Sequence, residues 1–344
     1  MSECNTRRPV SLLDVAKAAG VSRATASLVL RQSPLVADKT RLRVVEAMQS
    51  LGYIYNRGAA NLRRNRTGTI GLVLNNIGSP FYSALMAGVD EVNEDGSVVT
   101  LVANSVDSPD RQIRQIRRLR EHNVDGIILC PAIGSDETLA VELARLDLPC
   151  VQALRHVELL GGDYVGADYR SGIEKAVRHL VGSGHRRIVF VGAMALHSAA
   201  RERNEGFRHA TGLHGLEGGL VVAGGPDNVY DVAAFDRLLK TRNSPDAAVC
   251  YNDVIALNVM NRLRSLGRQP GRDFAVIGMD NLPQAAGAFP ALTTIDTRPH
   301  EVGRKAAALL QKRIAQPGLA NGEHIIVPPS LIVRQSCGET SAAA

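Results

Sequence analysis

The chain has 344 residues, 22% of them charged and 45% hydrophobic, with a formal net charge of +6, which leaves room for two or three domains with real cores. It has no apolar run of about 18 residues and no apolar stretch ahead of an N-terminal cleavage site, so a membrane span and secretion are not expected, and a cytoplasmic location is. Cys4, Cys130, Cys150, Cys250 and Cys337 are widely spaced with no C-x-x-C pair, which argues against a zinc site or a disulfide framework; no metal and no cofactor are expected.

Ser11-Leu12-Leu13-Asp14 has the spacing of a capping box that opens a helix. Leu13, Val15, Ala16 and Ala19 supply its apolar faces, and Gly20 stops it where a left-handed conformation needs no Cβ. Val21 packs in the turn. Ser22 restarts the chain as an N-cap, accepting from the N–H of Ala24 or Thr25. Within VSRATASLVL (21–30), Ala26, Val29 and Leu30 recur at helical steps and form a buried stripe. Arg23, Ala24, Ser27 and Leu28 fall on other faces. Helix, glycine-containing turn, helix is the arrangement that sets the start of its second helix against base edges in the major groove. A third helix from Asp38 to Leu51, with Val44, Ala47, Met48 and Leu51 inward and Gly52 at its end, closes an all-α head. Residues 1–66 hold twelve Lys/Arg against four acids, so the head is basic and suits a polyanion. Asn56 to Arg66, NRGAANLRRNR, follows as a short basic segment of mixed helix propensity.

From Thr69 the pattern changes to strand alternating with helix. Strands are expected at 69–74, 98–103, 126–130 and 149–153, with helices at 82–93, 111–122 and 136–146. GGDYVG and GSGHRR have the spacing of turns. The alternation restarts after Tyr164, with a helix at 171–181, strands at 187–192, 247–251 and 274–279, and helices beginning near Arg203 and ending at Leu266. Two such units in series predict a two-lobed α/β body with parallel sheets. Residues 291–314 fit a crossover strand and a long helix, and 324–336 fit strands returning to the second lobe. In such sheets ligands bind beyond the carboxyl ends of the strands. The residues there are Asn75, Asn76, Ser79, Phe81 and Tyr82, then Arg155, Asp168, Arg203, Asn252, Asp253 and Asp280. Aromatic faces with an arginine, amides and carboxylates suit a small polar ligand.

The strings LLDVAKAAGVSRATASLVL and VADKTRLRVVEAMQSLGYIYNR, in register, resemble the LacI/GalR family of bacterial transcription regulators, and the resemblance runs to about Arg334. Within the family, SLVL, SPFY and CYND are similar to maltose-regulon-type repressors. The resemblance implies a helix-turn-helix domain over 9–56, a hinge helix over 57–67 and an effector-binding and dimerisation domain over 68–337. Its two lobes, of periplasmic-binding-protein type, would be about 68–166 with 295–322, and 167–294 with 323–337. It implies that Arg23, Ala24 and Leu28 face bases, with Ser22, Thr25, Ser27, Asn56 and Arg57 also at the DNA, and that Leu62 wedges into the minor groove of a pseudo-palindromic operator. Leu28 departs from the polar residue often found there: it can meet a thymine methyl but cannot hydrogen-bond a guanine. The implied effector residues are Asn76, Phe81, Tyr82, Arg155, Asp168, Arg203, Asn252 and Asp280, around a sugar or sugar phosphate, with a purine or nucleoside as the alternative. A homodimer is expected, since the tail CGETSAAA has no heptad leucines. A solute receptor alone would use the body but has no use for residues 11–66. An enzyme is not expected, because no G-x-G-x-x-G follows the first strand and no P-loop lysine motif is present.

Overall fold

The computed structural model describes residues 8, 10–30, 33–54, 66–95, 98–194, 196–216, 220–224, 230–318 and 321–338. Contacts divide the chain into two units, Met1–Thr67 and Gly68–Ala344.

Among the described residues the first unit contains three helices, α1 (Leu12–Ala18), α2 (Arg23–Leu30) and α3 (Asp38–Leu51). Asp14 Oδ2 accepts from Ser11 N at 2.9 Å and from Ser11 Oγ at 2.6 Å, which completes the capping box. These bonds hold the Asp14 carboxyl below its ordinary pKa. Gly20 (φ 64) and Gly52 (φ 62) take the left-handed turns that end α1 and α3, a conformation that penalises residues with a Cβ. Val15, Ala16, Ala26, Val29, Val44 and Ala47 form the core. Leu51 does not join it: the side chain is 38% exposed, because it lies on the last turn beyond the reach of α1 and α2. The hinge residues Asn56, Arg57 and Leu62 lie outside the described residues.

The described residues of the second unit form two six-stranded sheets. In the first lobe, β1 (Thr69–Leu74), α4 (Pro80–Asp95), β2 (Val99–Asn104), α5 (Pro109–Glu121), β3 (Ile127–Leu129), α6 (Glu137–Leu146), β4 (Cys150–Ala153) and β5 (Asp163–Ala167) follow in turn. The second lobe runs through α7 (Tyr169–Gly182), β6 (Ile188–Ala193), α8 (Ser198–Leu213), β7 (Leu220–Gly224), α9 (Val232–Leu239), β8 (Ala247–Cys250), α10 (Asp253–Ser265), β9 (Ala275–Met279), α11 (Pro283–Gly287) and β10 (Thr293–Asp296). Then α12 (Pro299–Ala315) and β11 (His324–Val327) return to the first lobe, and β12 (Ser330–Ile332) ends in the second. The strand orders are β11-β5-β4-β3-β1-β2 and β12-β10-β9-β8-β6-β7. The first sheet is parallel throughout, and the second is parallel except for the antiparallel edge strand β12. The second lobe's core buries Phe190, Phe207, Phe235 and Phe274 completely or nearly so. Burial of each such ring contributes about 2–3 kcal/mol.

Three expectations need correction. Residues 163–167 form a strand and not a turn: the buried carboxylate of Asp163 is neutralised by a two-pronged bond from Arg313 (2.7 Å each), so the charge does not break the sheet. Residues 324–336 do not all return to the second lobe. His324–Val327 pairs in parallel with β5, and the chain crosses only at Pro328-Pro329. The lobe boundaries drawn at 294/295 and 322/323 therefore move to the crossings after Asp296 and Val327, because β10 belongs to the second lobe and β11 to the first.

Candidate functional site

In the head, Ser22 Oγ accepts from Thr25 N at 3.0 Å and lies 2.9 Å from Thr25 Oγ1. The Ser22 side chain thus meets one of the open backbone donors at the start of α2. Arg23 and Ala24 are exposed on its first turn, and Thr25, Ser27 and Leu28 are half-buried. Leu28 packs against the head core, so only part of its surface is open. Arg41 Nη2 donates to Ser33 O at 2.8 Å, tying the turn after α2 to α3.

In the body, the strands end in loops from both lobes that face one cleft. β1 lies between β2 and β3, and β6 between β7 and β8. These are the reversals of strand order where doubly wound sheets open a crevice. Seven of the eight residues expected at an effector line the cleft: Asn76, Phe81, Tyr82, Arg155, Arg203, Asn252 and Asp280. Asp168 is not among the lining residues. It caps α7, accepting from Ser171 N at 2.9 Å, because it sits where β5 hands the chain to a helix of the other lobe.

The centre of the second-lobe wall is Arg203. Its guanidinium carbon lies 3.9 Å from the Tyr169 ring centroid and 4.4 Å from that of Tyr251, stacking that stabilises a buried cation. Nη1 donates to Ala199 O at 2.9 Å and Nε to Met279 Sδ at 3.0 Å. Nη2 lies 3.8 Å from Asp280 Oδ1, which is buried and has no hydrogen-bond partner among the described residues. Burial pushes the Asp280 pKa well up, and Arg203 opposes that rise. Asp280 has φ 108 and Leu154, also lining the cleft, φ 65. Left-handed backbone at residues other than glycine is costly and concentrates at ligand sites.

Across the cleft, Arg155 Nη1 donates to Asp107 Oδ1 at 2.7 Å. The same oxygen accepts from Asn75 Nδ2 at 2.7 Å and Ile133 N at 2.9 Å. Tyr82 is half-buried beside them, and its desolvation pushes the phenol well above the ordinary range. His197 Nδ1 accepts from Ala200 N at 3.2 Å, so in its neutral form the proton sits on Nε2, 3.2 Å from Tyr251 Oη. Burial, then Arg155 and Arg203, push its pKa down to about 2.

Asp107, Leu154, Tyr169, His197 and Tyr251 were not singled out from sequence. Tyr251 adjoins Asn252 directly after β8, which was signal enough to include it. Asp107 and His197 gave none, since each is legible only through partners far along the chain. Among the described residues no cluster of three or more His, Cys, Asp or Glu is placed to hold a metal, and no helix is long and apolar enough to cross a membrane.

A helix-turn-helix head joined to a two-lobed body with a ligand cleft defines a DNA-binding regulator that responds to a small molecule. Residues 11–56 match the lacI family of bacterial regulatory proteins, and residues 177–337 the periplasmic binding protein-like domain. The HTH-type transcriptional regulator DegA of Bacillus subtilis is 30% identical over 330 residues, 95% of this chain and 97% of that protein. The HTH-type transcriptional repressor PurR of Mannheimia succiniciproducens is 29% identical, over 95% and 98%. Among solved structures, the lac repressor dimer bound to operator and the anti-inducer ONPF matches with TM-score 0.83 at 25% identity, over 96% of this chain and 100% of that one. The transcriptional regulator CelR–cellobiose complex matches with TM-score 0.72 at 30% identity, over the same shares. The chain belongs to the LacI family of bacterial transcription regulators.

Proposed function

We propose that this regulator is a cytoplasmic repressor without enzymatic activity, and that its effector is a sugar or sugar phosphate held between the lobes. The carrying observation is the 3.8 Å gap between Arg203 Nη2 and the unpartnered Asp280 Oδ1. A ligand hydroxyl closes it by donating to the carboxylate and accepting from the guanidinium. Phe81 and Tyr82 supply apolar ring faces, and Asn76, Arg155 and Asn252 supply further polar contacts. Asp168 serves as a helix cap and not as a ligand contact. The cellobiose and ribose held by two similar structures favour the same class of ligand.

On DNA, Arg23, Ala24, Ser27 and the open part of Leu28 read bases, while Ser22 and Thr25 orient the helix. Asn56, Arg57 and Leu62 act in the hinge. The effector changes operator affinity only through its different affinity for two lobe orientations. The test is calorimetric titration of the full chain with D-ribose, D-glucose, maltose, cellobiose and D-glucose 6-phosphate, with anisotropy on an operator found by in-vitro selection. Binding of one of these that shifts operator affinity supports the assignment. Binding only of nucleobases overturns it.

A further inference from the structure

We propose that Asn75 is an effector-reading residue, its side-chain oxygen accepting a hydrogen bond from a ligand hydroxyl. One molecule is then gripped by Asn75 on the first lobe and by Arg203 and Asp280 on the second. This rests on the polyhydroxyl effector proposed above.

Asn75 follows β1 directly, lines the cleft and is 3% exposed. Its Nδ2 donates to Asp107 Oδ1 at 2.7 Å and to Pro131 O at 3.2 Å. A carboxylate and a carbonyl only accept, so turning the amide round would set oxygen against oxygen. The orientation is therefore fixed by its partners. Oδ1 is left buried with no hydrogen-bond partner among the described residues. Leaving such an acceptor unmet is costly, and a ligand O–H meets it where a ring oxygen or ketone does not. Asp107 is itself held by Ile133 N and Arg155, so the amide is aimed before a ligand arrives, which lowers the ordering cost of binding. The neighbouring Asn76, favoured by sequence, is exposed, and its side-chain oxygen already accepts from Gly78 N at 3.0 Å.

The test titrates the full-length protein and Asn75→Leu with the five sugars named above, then with the mono-deoxy analogues of whichever binds. Asn75→Leu is expected to weaken that sugar about tenfold, and one deoxy analogue to lose about tenfold on the unsubstituted protein and nothing on the variant. If every analogue loses equally on both proteins, Asn75 does not read a hydroxyl, while the polyhydroxyl assignment stands. If no sugar binds the unsubstituted protein, that assignment falls and the inference falls with it. Should the variant fail to fold, the 13Cγ resonance of Asn75 in the unsubstituted protein decides. A downfield move on saturation with the sugar supports the inference, and an unmoved resonance overturns it.

Discussion

Arg203 Nη2 and Asp280 Oδ1 stand 3.8 Å apart, beyond hydrogen-bond length, although the Arg203 side chain and the Asp280 Oδ1 atom are both buried. The guanidinium is held in this position by Tyr169, Tyr251 and Ala199 O, and Asp280 stands on a left-handed backbone directly after β9. The pair is set for a third partner. Arg203→Ala is expected to weaken effector binding about 100-fold and to leave operator affinity unchanged within about threefold. Calorimetry and anisotropy on the same preparation check both halves. An unaltered effector titration would remove Arg203 from the site.

At the DNA end, Arg23 is exposed on the first turn of α2. Arg23→Ala should cost about 1–3 kcal/mol on the best operator and relax preference at one base pair. Repeating the in-vitro selection with the variant detects the relaxation. A uniform loss across all sequences would make Arg23 a phosphate contact instead.

The capping box at Ser11 and Asp14 binds the first turn of α1 from both sides. Asp14→Ala should destabilise the head by about 1 kcal/mol and leave the body's melting transition where it is. Differential scanning calorimetry of the full chain distinguishes the two.

Asp163 and Arg313 form a two-pronged pair inside the first lobe, with Asp163 also accepting from Glu323 N at 2.8 Å. Arg313→Met strands a buried carboxylate and should cost about 3–5 kcal/mol. Chemical denaturation measures it.

Asp253 is completely buried, accepting from Thr294 Oγ1 at 2.6 Å and Leu282 N at 2.7 Å. Burial pushes its pKa up to about 7 from 3.8. The folded protein therefore holds a proton that the unfolded chain has released, and stability from this group falls as pH rises from about 4 to 7. In Asp253→Asn the amide oxygen still accepts from Leu282 N, and the Thr294 hydroxyl can turn to accept. The variant should gain on the unsubstituted protein by up to about 1.4 kcal/mol per pH unit across that window. Parallel lines in a stability–pH plot of the two proteins would contradict this.

Much of this architecture is legible in local sequence because its causes are local. Ser11, Asp14, Gly20, Ser22 and Gly52 each act on backbone groups within a few residues, so spacing alone exposes them. The strand-end rule likewise found Arg203 and Asp280. Strand β5 was hidden because Asp163 makes sense in a sheet only with Arg313 beside it, 150 residues later. Asp168 has the chemistry of both a ligand and a cap, and only its position at a helix start decides between them. Asn75 and Asn76 are identical in type and adjacent, and burial alone separates them.

The order in which the strands are laid down has a consequence for synthesis. β11 adds the outer strand beside β5, and β12 the outer strand beside β10, so each sheet receives its edge from the last tenth of the chain. A nascent chain released before about residue 324 leaves β5 and β10, interior strands of the finished sheets, as open edges, the kind that templates association between chains. Shortened products of this gene should thus aggregate rather than persist as half-working regulators, because both sheets receive their last strand only after residue 323.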